Sequence, residues 1–249
     1  MIDGDLADRQ SLPIPDLQLN PALSVEVLIV GNERTPVVIL DDVLASTAPL
    51  LDYASRLAAF SVGGSIGYPG VRAALPGTYA GILLPRLKEV IASVYGLNSE
   101  ADGEVIHELF SLVCVPPKEL HMLQCVPHFD SHNPFYFATV HYLNPGPHGG
   151  TGIFRHRPTG FESITEARYP LFTAAAEAHV RSHGPPPGQY INSSDDHFEL
   201  IAEFEYRPNR LLLYPGYLLH SGLIDAARDL SDHPAEGRLT ANLFTLFHP

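Results

Sequence analysis

VIHELFSLVCV (Val105–Val115) opens the run of segments that decides how the chain folds. ELHMLQCV (119–126), FYFATVHYL (135–143) and TGIFRH (151–156) follow, each rich in branched and aromatic residues and each closed by turn signals such as PP, PH and NPGPHGG. FELIAEFEYR (198–207), NRLLLYPG (209–216), YLLHSG (217–222) and RLTANLFTLFHP (238–249) continue the pattern. Short strands at this spacing, parted by Gly and Pro, predict an antiparallel sandwich or barrel. A single helix over about 163–182 interrupts them, followed by the turn HGPPPG.

Upstream of Glu104 the periodicity is different. SVEVLIV (24–30), Gly31-Asn32 and PVVILDD (36–42) read as a β-hairpin or two neighbouring strands. Asp41 or Asp42 can cap a helix through VLASTAPLLDYASRLAAF (43–60), kinked near Pro49. The stretch SVGGSIGYPGVRAALPG (61–77) is too rich in Gly and Pro to be regular, and its part 61–70 could close over a site, with Tyr68 and Arg72 as substrate contacts. A second helix spans Tyr79 to Tyr95 and buries Ile82, Leu83, Leu87, Val90, Ile91 and Val94. The organisation expected is thus an arm of twenty-odd residues, strands and supporting helices over 1–103, then a β-core over 104–249 with a helical insert near 156–197.

Composition narrows the class. Of 249 residues 45% are hydrophobic and 17% charged, which is a globular composition, with length enough for a sizeable core. Acidic side chains number 28 against 15 basic ones, a net charge of -13. A field of that sign disfavours nucleic acid and anionic membranes, yet leaves room for a small anion held by one well-placed arginine. MIDGDLADRQ has no signal-peptide pattern and no apolar run spans a membrane, so a cytoplasmic protein is the expectation. Cys114 and Cys125 are expected as free thiols. A homodimer stays open.

The chemistry gathers around CVPHFDSH (125–132). Residues i and i+2 of a strand face the same side, so His128 and Asp130 can both look into a barrel, and a third ligand must come from another strand. His220, after the Pro215-Gly216 turn and at the end of a short apolar strand, supplies it. Two histidines and one carboxylate form a facial triad with open positions, suited to an oxygen-using iron. The plain alternative is that His128 caps a strand end and His220 donates to a carbonyl. Gly149, Gly150 and Gly152 read as a tight bend, since no lysine or helix start supports a phosphate cradle. Arg155, His156 and Arg157 meet either an acidic substrate group or solvent. Cys125 sits beside a proline and has no evident base, which disfavours a cysteine hydrolase.

The order HFD, FYFATVHYLNP, GGTGIFRHR, LLLYPGYLLHSG and RLTANLFTLF resembles the 2-oxoglutarate- and Fe(II)-dependent dioxygenases of the prolyl-hydroxylase type, and more narrowly a bacterial branch of that superfamily. The likeness covers about 104–249. It implies a mainly β fold with flanking helices, a double-stranded β-helix (jelly-roll, cupin-like) core with an N-terminal helical buttress, and Fe(II) on His128, Asp130 and His220. It also implies 2-oxoglutarate as co-substrate, with its distal carboxylate on an arginine of the last core strand. Arg238 shares a strand face with Thr240 and Asn242, and an arginine there would demand an anionic partner. Arg228 fits the family's usual distance from the second histidine better, but lies in an acidic stretch without strand pattern. Tyr142 or Tyr136 could donate a hydroxyl to the co-substrate. The activity implied is hydroxylation of an unactivated C–H in an amino-acid, peptidyl or small-metabolite substrate. A non-catalytic small-molecule binding or sensory module on the same β-core, or a cupin-like metalloenzyme without 2-oxoglutarate, would share these residues.

Overall fold

Alternation along one strand, Leu239–His248 (β11), explains the layering of the molecule. Leu239, Ala241 and Leu243 point to one face and join a core with the helices, while Thr240, Asn242 and Phe244 point to the other and line a cavity. The computed structural model describes residues 14–62, 67–98 and 100–248. In it β11 lies near the middle of an eight-stranded antiparallel sheet. The other members are β1 (Ser24–Val30), β2 (Thr35–Asp41), β3 (Ser61–Val62), β4 (Gly70–Ala74), β5 (Asp102–Val113), β6 (Tyr136–Tyr142) and β9 (Leu211–Pro215). Their order is β1-β2-β9-β6-β11-β5-β4-β3, so strands from before and after residue 103 share one sheet.

On the outer face α1 (Ala48–Arg56) and α2 (Thr78–Tyr95) bury Leu50, Leu83, Leu87 and Ile91 against Phe110, Leu112 and Leu213. Facing the inner side is a small sheet of β10 (His220–Gly222), β7 (Thr151–His156) and β8 (Phe198–Phe204), in the order β10-β7-β8. His128 bridges His220 and adds a fourth short segment to its edge. Ile153, Phe204 and Leu218 pack across the gap on Val37, Ile39, Leu212 and Tyr214. The fold is therefore mainly β, a jelly-roll, cupin-like sandwich with an N-terminal helical buttress. A third helix, α3 (Tyr169–His183), lies over the open end and buries none of its own residues fully. Among the described residues no helix is long and apolar enough to cross a membrane.

Several local expectations are corrected. The first helix covers only Ala48–Arg56, because Asp42, at φ 55, turns left-handed at the end of β2 and cannot cap. Pro49 sits in the first turn of α1, where a missing N–H costs nothing, and so starts the helix rather than kinking it. ELHMLQCV holds the 3-10 turn Met122–Gln124 and the last residue of another, Pro117–Glu119, and no strand. There the His121 ring accepts from the Leu123 N–H, and Gln124 Oε1 accepts from the His121 N–H. The stretch 61–77 does contain strand, since β3 pairs with β4 and β4 with β5. Gly70 permits that pairing: a Cβ on it would lie 2.0 Å from the Leu112 carbonyl oxygen. The inserted helix begins at Tyr169, with Pro170 in its first turn, rather than near 163. Gly63, Gly64, Ser65 and Ile66 of the expected lid, and the first thirteen residues of the expected arm, lie outside the described residues.

Candidate metal centre

Backbone pairing brings the three predicted ligands together. His128 and His220 exchange two hydrogen bonds, N–H to carbonyl at 2.9 and 2.8 Å, which sets their rings side by side with centroids 4.3 Å apart. The Asp130 N–H donates to the Gly216 carbonyl at 2.7 Å, which keeps Asp130 on the side of His128 although no full strand forms there. Phe129, between them, packs on Tyr169 and Phe172 of α3. A Cβ on Gly216 would lie 2.5 Å from the Tyr136 ring, so the glycine lets the turn approach β6 closely enough to reach Asp130.

One ligand atom from each of His128, Asp130 and His220 lies within 4.8 Å of the others, the one such group among the described residues. His128 Nε2 stands 3.8 Å from Asp130 Oδ1, and His220 Nε2 stands 3.6 Å from Asp130 Oδ2. These separations are too long for hydrogen bonds and suit donors sharing one cation. Asp130 Oδ2 is buried without a hydrogen-bond partner, an orphaned acceptor of the kind a cation satisfies. The His220 Nδ1 lies 2.8 Å from the Leu218 carbonyl; donation there fixes the tautomer and leaves Nε2 free to ligate. Burial holds the His128 imidazole well below its usual pKa, helped by His220 and Arg72. What the His128 ring exposes faces the cavity, with protein around it. The neutral form is the one that binds metals. Burial pushes the Asp130 carboxyl upward, opposed by His220 and Arg72. His132 turns away: its Nδ1 is 3.0 Å from the Ile164 carbonyl, and its ring rests on Tyr169.

The centre opens on a cavity of about 950 Å³, large enough for two small molecules. Arg238, Thr240, Asn242 and Tyr136 line it. Arg238 is only 5% exposed, and it donates from Nε and Nη2 to the carbonyls of Gly149 and Gly150 at 2.6 and 3.0 Å. Both glycines make that possible, because a Cβ on either would lie under 2 Å from a backbone oxygen of a neighbouring segment. Thr240 Oγ1 bonds Asn242 Oδ1 at 2.8 Å. Tyr136 stands beside Asp130, its phenol pushed up to about 12 by burial and then by that carboxylate. Tyr142 is placed otherwise: its hydroxyl meets Thr151 Oγ1 at 2.7 Å and its ring lies 5.5 Å from the Arg238 guanidinium, so it backs Arg238 instead of reaching the cavity. Arg228 pairs with Asp225 at 2.6 Å and lines a separate cavity of about 580 Å³.

Tyr214 was not singled out in the sequence, yet it lines the cavity with its ring 4.7 Å from His220. Strand parity could have found it, since it shares the inward face of β9 with Leu212. Arg155 pairs with Glu162 and Glu199, and Arg157 donates to the Asp195 carbonyl, so this basic group is used within the fold.

No functionally curated protein matches the chain at a significant level. HygX from Streptomyces hygroscopicus, solved with nickel and 2-oxoglutarate bound, is similar in structure at 13% identity, with 86% of this chain and 84% of that one covered and a TM-score of 0.40. A model described as a family of unknown function, DUF6445, matches residues 21–245, and the chain belongs to that family.

Proposed function

We propose that this chain is an Fe(II)- and 2-oxoglutarate-dependent oxygenase that hydroxylates an unactivated C–H of an amino-acid, peptidyl or small-metabolite substrate. The observation that carries this is the His128–Asp130–His220 group, with Asp130 Oδ2 buried and unpartnered at a cavity mouth. A two-histidine, one-carboxylate set suits iron and leaves coordination positions for a chelating co-substrate and oxygen. When bound, iron and 2-oxoglutarate supply the oxidising power for C–H cleavage.

The protein's own residues bind, orient and exclude water. His128, Asp130 and His220 would hold the metal, with the Gly216 and Leu218 carbonyls fixing the directions of Asp130 and His220. Arg238, clamped by Gly149 and Gly150, would receive the distal carboxylate of 2-oxoglutarate, with Thr240 beside it. Arginine offers a carboxylate two parallel hydrogen bonds. Tyr136, kept protonated, could donate to an oxygen near the metal. Phe129, Phe172 and Val180 form the apolar wall that keeps water from the reacting carbon.

Anaerobic titration of the full chain with Fe(II) and then 2-oxoglutarate tests the proposal. A weak visible charge-transfer band is expected in the wild type and none in His128→Ala. Absence of the band in the wild type would leave the oxygenase reading without support.

A further inference from the structure

Arg72 lacks the carboxylate partner that most of the other described arginines have. Arg155 meets Glu162, Arg168 meets Glu33, Arg210 meets Asp41 and Arg228 meets Asp225, while Arg34, which also lacks one, lies exposed to solvent. Arg238 meets two backbone carbonyls. Arg72 pairs with no carboxylate among the described residues, and its Nε is buried without a hydrogen-bond partner. Its guanidinium lies 4.4 Å from the centre of the Tyr68 ring, and the Tyr68 hydroxyl, near the Ser111 side chain, is also buried without a well-formed hydrogen bond. Three orphaned polar atoms, Arg72 Nε, Tyr68 Oη and Asp130 Oδ2, thus belong to residues that line the same cavity. Buried polar groups are ordinarily satisfied, and in a chain of 28 acidic and 15 basic residues an intramolecular acid was within evolutionary reach. An unpaired cation kept at such a place is a binding group waiting for its anion.

Its position says which anion. Arg72 sits on β4 opposite Ser111, which sits opposite Thr240 on β11, so it projects from the same inner sheet face as the co-substrate side of the cavity. The same cavity carries apolar side chains, Val126, Phe129 and Phe172 among them, beside polar ones such as Gln124 and Thr173. We propose that Arg72 and Tyr68 form an anion subsite for the substrate itself, which is therefore a small carboxylic acid with an apolar body. This rests on the oxygenase reading in one respect: Arg238 is assigned to 2-oxoglutarate, so a second cation is left for a second carboxylate.

The probes are 3-phenylpropionate and its uncharged amide, titrated calorimetrically into the full chain with Fe(II) and 2-oxoglutarate under anaerobic conditions. The acid is expected to bind the wild type at least tenfold more tightly than the amide, and Arg72→Met should erase that preference. Arg72→Lys, which keeps the charge but loses the fork, should fall between. Equal binding of acid and amide, binding of neither, or a preference that survives Arg72→Met overturns the proposal. So does loss of the 2-oxoglutarate band in Arg72→Met, because Arg72 would then hold the co-substrate. Since a guanidinium with an orphaned donor is removed, Arg72→Met is expected to melt no lower than the wild type; a clear fall in Tm would reveal a structural partner and count against the subsite. A wild type that shows the acid preference without any 2-oxoglutarate band refutes the oxygenase reading alone and upholds the carboxylate subsite.

Discussion

Gly216 shows how much of the site depends on one backbone atom. Its carbonyl accepts from the N–H groups of Asp130 and Ser131, at 2.7 and 3.2 Å, and so aims the carboxylate that links the two histidines. A side chain at this position would press on the Tyr136 ring, and either the ring or the turn would have to move. Outer-shell partners of metal ligands typically carry about 10–100-fold in affinity. Gly216→Ala should therefore weaken Fe(II) binding by about that factor while the far-ultraviolet circular dichroism stays native. Competition for Fe(II) against a coloured chelator measures it. An unchanged affinity would mean that Asp130 is held by something other than this turn.

At the level of elements, α3 is the wall that depends on pH. It meets the small sheet through Phe172 and His179: Phe172 packs on His156, and the His179 ring stacks 3.9 Å from that of His197. His156 and His197, linked Nε2 to Nε2 at 2.9 Å, are both held down at about 4. Burial is the main cause for each; His197 and His179 act on His156, and His179 and His183 on His197, where Asp195 opposes. In the unfolded chain these rings titrate at about 6.5. Between the two values the unfolded state binds more protons, so their contribution is fully present above about 6.5 and is lost as pH falls towards 4. The Tm should drop between pH 7 and 5, and by less in His197→Phe. His141, buried against Tyr79 and also held at about 4, titrates in both proteins, so the difference reports the His156–His197 pair. Equal drops would dissociate the histidine stack from α3 docking. This stack was not legible in the sequence, because its members are spread from residue 156 to residue 197 and only the β7–β8 pairing and the helix return join them. The strands β6, β9 and β11 were legible as short branched and aromatic runs bounded by turn signals, although both faces of each are covered, and the helix α2 was legible because its buried residues keep one helical period. ELHMLQCV misled for a physical reason: its apolar members Met122 and Leu123 are 44% and 53% exposed, and local side-chain capping, not burial, sets its shape.

Across the whole molecule, the convergence of His128, Asp130 and His220 was legible in the His-x-Asp spacing and in the turn before His220, although a single bridge and the Gly216 carbonyl, not a strand, set the first two on one side. The size of the β-framework was not. A change of period near Glu104 marks a boundary in the sequence, yet β2 pairs with β9 and β4 pairs with β5 across it. Hydrophobic pattern reports which face of a strand is buried and is silent on which strand lies beside it. The consequence is energetic. Without residues 1–103 the outer faces of Phe110, Leu112, Leu213 and Leu243 lose α1 and α2, and the β9 and β5 edges lose their partners. Burial of apolar area is the main favourable term in folding, and open edges invite association. A fragment covering 104–249 should therefore lack a cooperative thermal transition, bind a hydrophobic dye and associate, although it contains every proposed metal ligand. A sharp melt with native near-ultraviolet dichroism in that fragment would show that the β-core folds alone and that β1–β4 and the two helices are an accessory layer; its absence would make them part of the scaffold that lines the cavity with Arg72.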